Sequence, residues 1–140
     1  MFSVKYQTFQ VVSSTYVAYF DTAVSTIQMP LADLLVIFNI MLPNYDWSTG
    51  LYTIPCDKID EKATLDLGFD GAVVEYSIDP VNFIVDLDLD DGQCAIAMEV
   101  EDELIYPIET HVFGTPLFRQ FCVTIDLDAN SIILYDHAHS

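Results

Sequence analysis

The chain has 140 residues and carries 22 acidic against 4 basic side chains, so its formal net charge at pH 7 is -18. This charge argues against nucleic acid as a partner, because phosphate binding requires clusters of Lys and Arg that the sequence does not contain. The length predicts one domain, and the hydrophobic content of 52% predicts either a large core or a surface that a partner covers.

The N-terminal region is rich in β-branched and aromatic residues as far as Phe20. This composition predicts two strands with a turn near Ser13-Ser14. The first residues, Met1–Tyr6, predict strand and not a secretory signal peptide, so we expect any targeting segment to lie outside this sequence.

One helix is predicted over Leu31–Met41, beginning at Pro30 and ending before Pro43. Its apolar residues cover almost every side, so we expect it to pack on more than one face. The apolar stretch Met29–Leu42 is interrupted by Asp33 and is too short to span a bilayer, and no membrane segment is predicted.

The rest of the chain is typical of short strands separated by turns. Two alternating segments, Ala63–Phe69 and Ala72–Ile78, flank Asp70-Gly71 and predict a β-hairpin. Further strands are expected at Leu51–Ile54, at Asn82–Asp86, after Cys94, at Phe121–Asp126 and at Ser131–Tyr135. The fold class is therefore mostly β with one clear helix.

Several chemically suggestive residues have simpler interpretations. The acidic run Asp86–Gly92 lacks the ligand spacing and flanking helices of a calcium loop, which favours a solvated hairpin tip. His137 and His139 lie in a C-terminal tail, and His111 has no Ser or Cys of a catalytic triad near it. Cys122 is expected to be a buried small hydrophobe. The sequence predicts no metal site and no cofactor.

Asp21 is the remaining candidate, and by itself it could be an ordinary carboxylate at a strand end. The segment Tyr19–Ser25 (YFDTAVS) with the helix led by Pro30 resembles the second active-site loop of pepsin-like aspartic proteases, Asp-Thr-Gly-Thr/Ser-Ser. Val112–Gly114 and Pro116–Phe121 (PLFRQF) resemble the apolar-apolar-Gly and FxRxF/Y segments near the C-terminus of that family. The closing hairpin fits the same order.

The resemblance implies a single C-terminal lobe of the pepsin-like double-β-barrel fold, with one or two short helices, spanning residues 1–140 and lacking the N-terminal lobe. Cys56 and Cys94 fall where that lobe carries a disulfide, which would contribute about 3–4 kcal/mol. Tyr45–Tyr52, before Cys56, and Cys122 look most like nematode-type members.

The resemblance also implies roles for individual residues. Asp21 would be the lobe's catalytic carboxylate, and the Thr22 hydroxyl would tie the two active-site loops together. Ser25 would support the site, and Gly114 would lie under the loop, where a side chain would crowd it. Tyr19 and the residue after it would belong to the core of the preceding strand.

Two positions depart from the family pattern. Ala23 replaces Gly, which keeps the backbone donor and adds a methyl group. Val24 replaces Thr or Ser and so loses a hydroxyl expected to hydrogen-bond the Asp21 carboxylate, which loosens its orientation. Retroviral relatives carry an apolar residue there, so the loss does not by itself exclude catalysis.

The expected function is that of an aspartic endopeptidase lobe that supplies one Asp of a two-Asp dyad and is inactive alone. The alternatives are a catalytically dead peptide-binding or inhibitor module and, ranked last, a homodimer that pairs two Asp21 residues. The expected partners are a polypeptide substrate and either the missing N-terminal lobe or a second copy. The acidity fits a soluble, self-repelling surface or an acidic secretory or lysosomal compartment.

Overall fold

The computed structural model describes residues 2–7, 9–14, 17–69, 74–89, 91–101, 110–129 and 131–136, with the backbone alone for 2–3, 9–14, 17 and 136. Its strands are β1 (Phe2–Tyr6), β2 (Phe9–Ser14), β3 (Val17–Phe20), β4 (Ile27–Met29), β5 (Asn44–Asp46), β6 (Leu51–Pro55), β7 (Leu65–Phe69), β8 (Tyr76–Ile78), β9 (Ile84–Val85), β10 (Gln93–Ile96), β11 (Met98–Val100), β12 (Thr110–Phe113), β13 (Phe121–Asp126) and β14 (Ser131–Asp136). Its helices are α1 (Leu31–Met41), α2 (Pro80–Phe83), α3 (Thr115–Gln120) and a 3-10 helix at Cys56–Glu61.

The first sheet joins the N-terminal strands to the predicted central hairpin, in the order β2-β1-β7-β8. β7 and β8 pair antiparallel, as predicted, and the Asp70-Gly71 turn between them lies outside the described residues. Ser13 and Ser14 end β2 and pair with the start of β1, and the two residues between β2 and β3 lie outside the described part of the chain, so the turn predicted near Ser13-Ser14 stays a prediction. A further turn, between β1 and β2, follows Tyr6, where Gln7 has a φ of 51°.

The second sheet has the order β5-β6-β10-β9 and carries the disulfide. Cys56 follows β6 and is bonded to Cys94 on the neighbouring strand β10, with the two Cα atoms 5.0 Å apart, which confirms the predicted pair. The predicted strand at Asn82–Asp86 is wrong in its first half. Pro80 starts the short helix α2, and only Ile84–Val85 of that segment pairs in the sheet.

The third sheet, in the order β11-β4-β12-β3, positions the candidate site. Its central strand β12 runs parallel to β3 on one side and antiparallel to β4 on the other. β3 and β4 follow each other closely in the chain, so the short loop between them must pass over the end of β12. The residue pairing shows how β12 lies between the two strands. Along β3, Thr110 pairs with Val17 and Phe113 with Phe20, and along β4, Phe113 pairs with Ile27.

Helix α1 has the predicted bounds and covers the core. It begins after Pro30 and ends at Met41, and the next residue, Leu42, has a left-handed φ of 56° and donates its N–H to the Phe38 carbonyl at 2.8 Å. One face buries Leu34, Ile37, Phe38 and Met41, whereas Leu35 is 53% exposed. The expectation of packing on more than one face is therefore not met by the described residues. Within the same part of the chain, no helix combines the length and apolarity needed to cross a membrane.

The C-terminal segment forms a separate antiparallel pair, β13 and β14. It follows α3, a helix that the periodicity analysis did not predict, in which Pro116 and Leu117 are buried. The hairpin exposes an apolar surface, with Ile125 at 64% and Leu127 at 86% of their full exposure. The mostly β architecture confirms the predicted fold class.

A buried polar pair links β12 to α1. The Nε2 atom of His111 on β12 lies 2.9 Å from the Oδ2 atom of Asp33 in the first turn of α1, and both side chains are buried. Removing polar groups from water costs free energy unless they are paired, so this contact fixes the helix against the strand.

Replacing one member of this pair should destabilise the fold. Asp33→Leu or His111→Leu is expected to lower the free energy of unfolding by about 3 kcal/mol, because the remaining buried polar group loses its partner. The double variant should cost less than the sum of the two single variants, as measured by urea denaturation. Lys58→Ala breaks the exposed contact with Glu61 and serves as the control, with no measurable change expected. Strictly additive single effects would contradict a coupled pair.

Candidate functional site

The β3–β4 loop, residues 21–26, carries the candidate carboxylate over the end of β12. The Asp21 N–H donates to the Phe113 carbonyl at 3.1 Å, which continues the β3–β12 pairing by one residue. The turn closes when the Val24 N–H donates to the Asp21 carbonyl at 3.3 Å. Asp21 therefore lies at the point where the chain leaves the sheet, on a loop supported by the strand beneath it.

The Asp21 carboxylate is oriented by its own loop. Its Oδ1 atom accepts a hydrogen bond from the Ala23 N–H at 2.9 Å, and the side chain is half-buried. Ala23 thus supplies the backbone donor expected from the family's Gly. Thr22 and Ser25 are exposed beside it. The same bond from the N–H two residues on orients Asp46 and Asp91, so what sets Asp21 apart is its place on a loop that β12 supports.

Gly114 holds the loop down from below. Its N–H donates to the Thr26 carbonyl at 3.0 Å, and the Thr115 N–H and Oγ1 donate to the Val24 carbonyl at 2.8 and 3.2 Å. A Cβ atom on Gly114 would lie 2.1 Å from the Val24 oxygen and 2.6 Å from the Thr26 oxygen. Glycine is therefore required here by close backbone approach and not by its φ of -97°.

Glu99 on β11 contacts the end of the loop opposite Asp21, through Thr26. The sequence patterns did not predict this role. The Glu99 Oε1 atom accepts hydrogen bonds from the Thr26 Oγ1 at 2.8 Å and from the Gln28 Nε2 at 2.9 Å. A separation of 73 residues along the chain gives no local pattern that could predict this contact.

Two cavities adjoin the loop at Thr26. The larger, about 310 Å³, is lined by Ser25, Thr115, Arg119 and apolar residues of β10. The smaller, about 200 Å³, lies beside Glu99 and the exposed side of α1. The loop therefore separates two concave, largely apolar surfaces.

The other candidates lie elsewhere. Asp86 comes close to Cys56 and Cys94, but the two sulfurs are joined in the disulfide and are not thiolate ligands. His111 is buried against α1, and Cys122 is half-buried on β13.

The predicted core position of Tyr19 is wrong: the side chain is 40% exposed, because successive strand residues point to opposite faces. His137 and His139 lie outside the described residues.

Comparison with known proteins gives a consistent result. The family profile described as Eukaryotic aspartyl protease matches residues 1–136. Aspartic protease 1 of Caenorhabditis elegans is 27% identical over 113 residues, covering 80% of this chain and 28% of that protein. Aspartic protease 17 of the same nematode is 28% identical over 125 residues, covering 85% of this chain and 29% of that protein. The chain spans less than a third of the length of these two relatives.

Gly114→Ala tests the contact beneath the loop. The added Cβ would overlap two backbone carbonyls that cannot rotate away, so we expect a loss of about 3 kcal/mol in the free energy of unfolding. Gly92→Ala is the matched control, because Gly92 has a φ of 71° but no neighbour within 4 Å of its Cβ position. That variant should lose about 1 kcal/mol from backbone strain alone. Equal losses in the two variants would contradict the close-packing argument.

Proposed function

We propose that Asp21 supplies one of the two carboxylates of an aspartic endopeptidase, because the chain belongs to the eukaryotic aspartyl protease family. The observation that carries this proposal is the Asp21 carboxylate, held at 2.9 Å by the Ala23 N–H on a loop braced from below by Gly114. In the proposed reaction this carboxylate shares a proton with a second carboxylate, and the pair activates a water molecule that attacks the scissile amide.

One loop of this kind is insufficient for that chemistry. The dyad works because two close carboxylates cannot both ionise easily, so one acts as base while the other donates its proton as acid. No Asp in the sequence other than Asp21 is followed by Thr or Ser. The second carboxylate must therefore come from another polypeptide segment, and the 140-residue chain alone is proposed to be inactive.

The proposed source of that carboxylate is an N-terminal lobe that covers the β13–β14 hairpin. The hairpin exposes five large side chains, namely Ile125, Leu127, Ile132, Ile133 and Tyr135. Ile125 and Ile132 pair across the hairpin, and Ile133 and Tyr135 point to its other face, so apolar side chains are exposed on both faces, as on a surface that a partner covers. The two nematode relatives are more than three times longer than their matched region, which leaves room for such a lobe.

The proposed substrate is a polypeptide that lies across the β3–β4 loop. The two cavities that adjoin Thr26 would receive substrate side chains, and their largely apolar linings favour apolar ones. The Cys56–Cys94 disulfide favours an oxidising setting, and an acidic secretory or lysosomal compartment suits a dyad that shares a proton.

Reconstitution tests this function. The chain alone should leave denatured globin intact at about pH 3–5, whereas the chain mixed with an N-terminal lobe of a pepsin-like protease should cleave it. Asp21→Asn should reduce the reconstituted rate by at least about a thousandfold, and a pepstatin-type inhibitor should block it. Asp57→Asn removes an exposed carboxylate on the 3-10 helix and should leave the rate unchanged.

Two results would count against this proposal. Hydrolysis by the chain alone, abolished by Asp21→Asn, would indicate a homodimer that pairs two Asp21 residues. Inertness with the supplied lobe, combined with retained peptide binding, would favour the second candidate function, a peptide-binding module without catalysis.

Val24 is the observation that favours this second candidate. The half-buried valine contributes its backbone carbonyl to the Thr115 contacts but offers no hydroxyl to Asp21. If the reconstituted enzyme is active, Val24→Thr should raise kcat about tenfold, because a hydrogen bond to a charged group is restored. The check is steady-state kinetics of both forms, with Val36→Thr on the exposed side of α1 as control. A Val24→Thr chain that stays inert beside an inert parent supports the non-catalytic module.

A further inference from the structure

A third concave surface lies at the β5–β6 hairpin and shares no lining residue with the β3–β4 loop. We call it the β5–β6 basin, and its volume is about 520 Å³. Its lining combines aromatic rings with carboxylate and amide groups: Asn44, Tyr45, Asp46, Trp47, Thr53, Asp91 and Gln93, with Ser48 at its edge. None of these residues belongs to the proposed catalytic machinery.

The aromatic side of the basin is built from successive ring contacts. Phe38 in α1 packs against Tyr52 with ring centroids 4.7 Å apart, and Tyr52 packs against Tyr45 at 4.9 Å. Tyr45 then meets Trp47 edge to face at 4.6 Å. The series starts from a buried ring and ends at Trp47, which is 88% exposed. A large aromatic side chain held by its neighbours and open to solvent is suited to stacking against a ligand.

The polar side of the basin is arranged before any ligand binds. The Gln93 Oε1 atom accepts hydrogen bonds from the Thr53 Oγ1 at 3.1 Å and from the Asn44 Nδ2 at 3.3 Å. The Gln93 N–H donates to the Asp91 Oδ1 at 3.1 Å, which orients that exposed carboxylate. Asp46 is oriented at the end of the edge strand β5, where its Oδ1 accepts from the Ser48 Oγ at 2.7 Å and from the Ser48 N–H at 2.9 Å.

The basin is negatively charged. The hydrogen bonds that Ser48 and then Thr49 donate to Asp46 lower the pKa of that carboxyl group, so it keeps its charge further into the acidic range. Among the described residues that line the basin, none is basic. The four basic residues of the chain lie elsewhere. Lys5 pairs with Glu75, Lys58 pairs with Glu61, and Lys62 donates to the Met41 carbonyl. Arg119 lines the cavity of about 310 Å³ beside the β3–β4 loop.

We propose that the β5–β6 basin binds an arginine side chain of a basic polypeptide segment. A guanidinium group is planar, so it can stack on Trp47 while its N–H groups reach the neighbouring Asp46 carboxylate, and Asp91 at the other end of the basin can attract a second basic side chain of the same segment. The net charge of -18 attracts such a segment over longer distances and disfavours an acidic one. This binding needs no second lobe and no catalysis, so it stands apart from the proposed hydrolysis.

Trp47 makes the experiment direct, because it is the sole tryptophan of the chain. The 140-residue chain is titrated with a short peptide containing two arginines, and with the same peptide containing citrulline, the neutral isostere. The arginine peptide should change the Trp47 emission saturably, and the citrulline peptide should bind at least about tenfold more weakly. Raising the salt concentration from about 0.05 to 0.5 M should weaken the arginine peptide several-fold.

Variants measured by calorimetry separate the contributions, with each fold checked by circular dichroism. Asp46→Asn and Asp91→Asn should each weaken the arginine peptide about two- to fivefold, and Trp47→Leu by a similar factor. Asp57→Asn is the control for loss of one exposed negative charge and should bind like the parent. Equal affinity for the citrulline peptide, or equal losses in Asp91→Asn and Asp57→Asn, would overturn the proposal. So would a saturable response to a neutral oligosaccharide without one to the arginine peptide.

Discussion

The close approach between the end of β12 and the β3–β4 loop is the contact on which the site depends. Because Gly114 has no Cβ, its N–H and that of Thr115 reach the Thr26 and Val24 carbonyls, and the loop lies directly on the strand. That support fixes the loop that begins at Asp21, where the chain leaves β3. The same approach requires β12 to lie between β3 and β4. The position of the Asp21 carboxylate therefore depends on the strand order of the third sheet.

Polar contacts between distant segments hold this arrangement together around its apolar core. Glu99 joins β11 to the loop through Thr26, and the buried pair of His111 and Asp33 joins β12 to α1. The contact between His111 and Asp33 is buried, so its pairing matters because a buried polar atom without a partner would cost free energy, whereas the exposed Glu99 contact contributes less. The loop is consequently braced from β11 on one side and from β12 beneath it, while β12 is itself fixed to the helix that covers the core.

The molecule also exposes two surfaces of different chemistry. The β13–β14 hairpin exposes apolar side chains such as Leu127, which suits the proposed second lobe. The β5–β6 basin is acidic and aromatic around Trp47, which fits a charged ligand that binds and leaves. The single disulfide joins Cys56, next to the basin's second strand, to β10 and so stabilises this part of the fold without contributing to either surface.

Local patterns in the sequence determined the features that depend on neighbouring residues. Pro30 and the apolar run after it predicted α1, whereas the meeting of the Asp21 loop with Gly114 was implied only by the resemblance to pepsin-like aspartic proteases. The tertiary structure alone decided the partners of Glu99 and His111, whose contacts lie 73 and 78 residues away. Such contacts arise from sheet register and helix packing, which no short window of sequence encodes. The turn after Tyr6 was missed for a related reason: strand pairing set its place, and local composition did not.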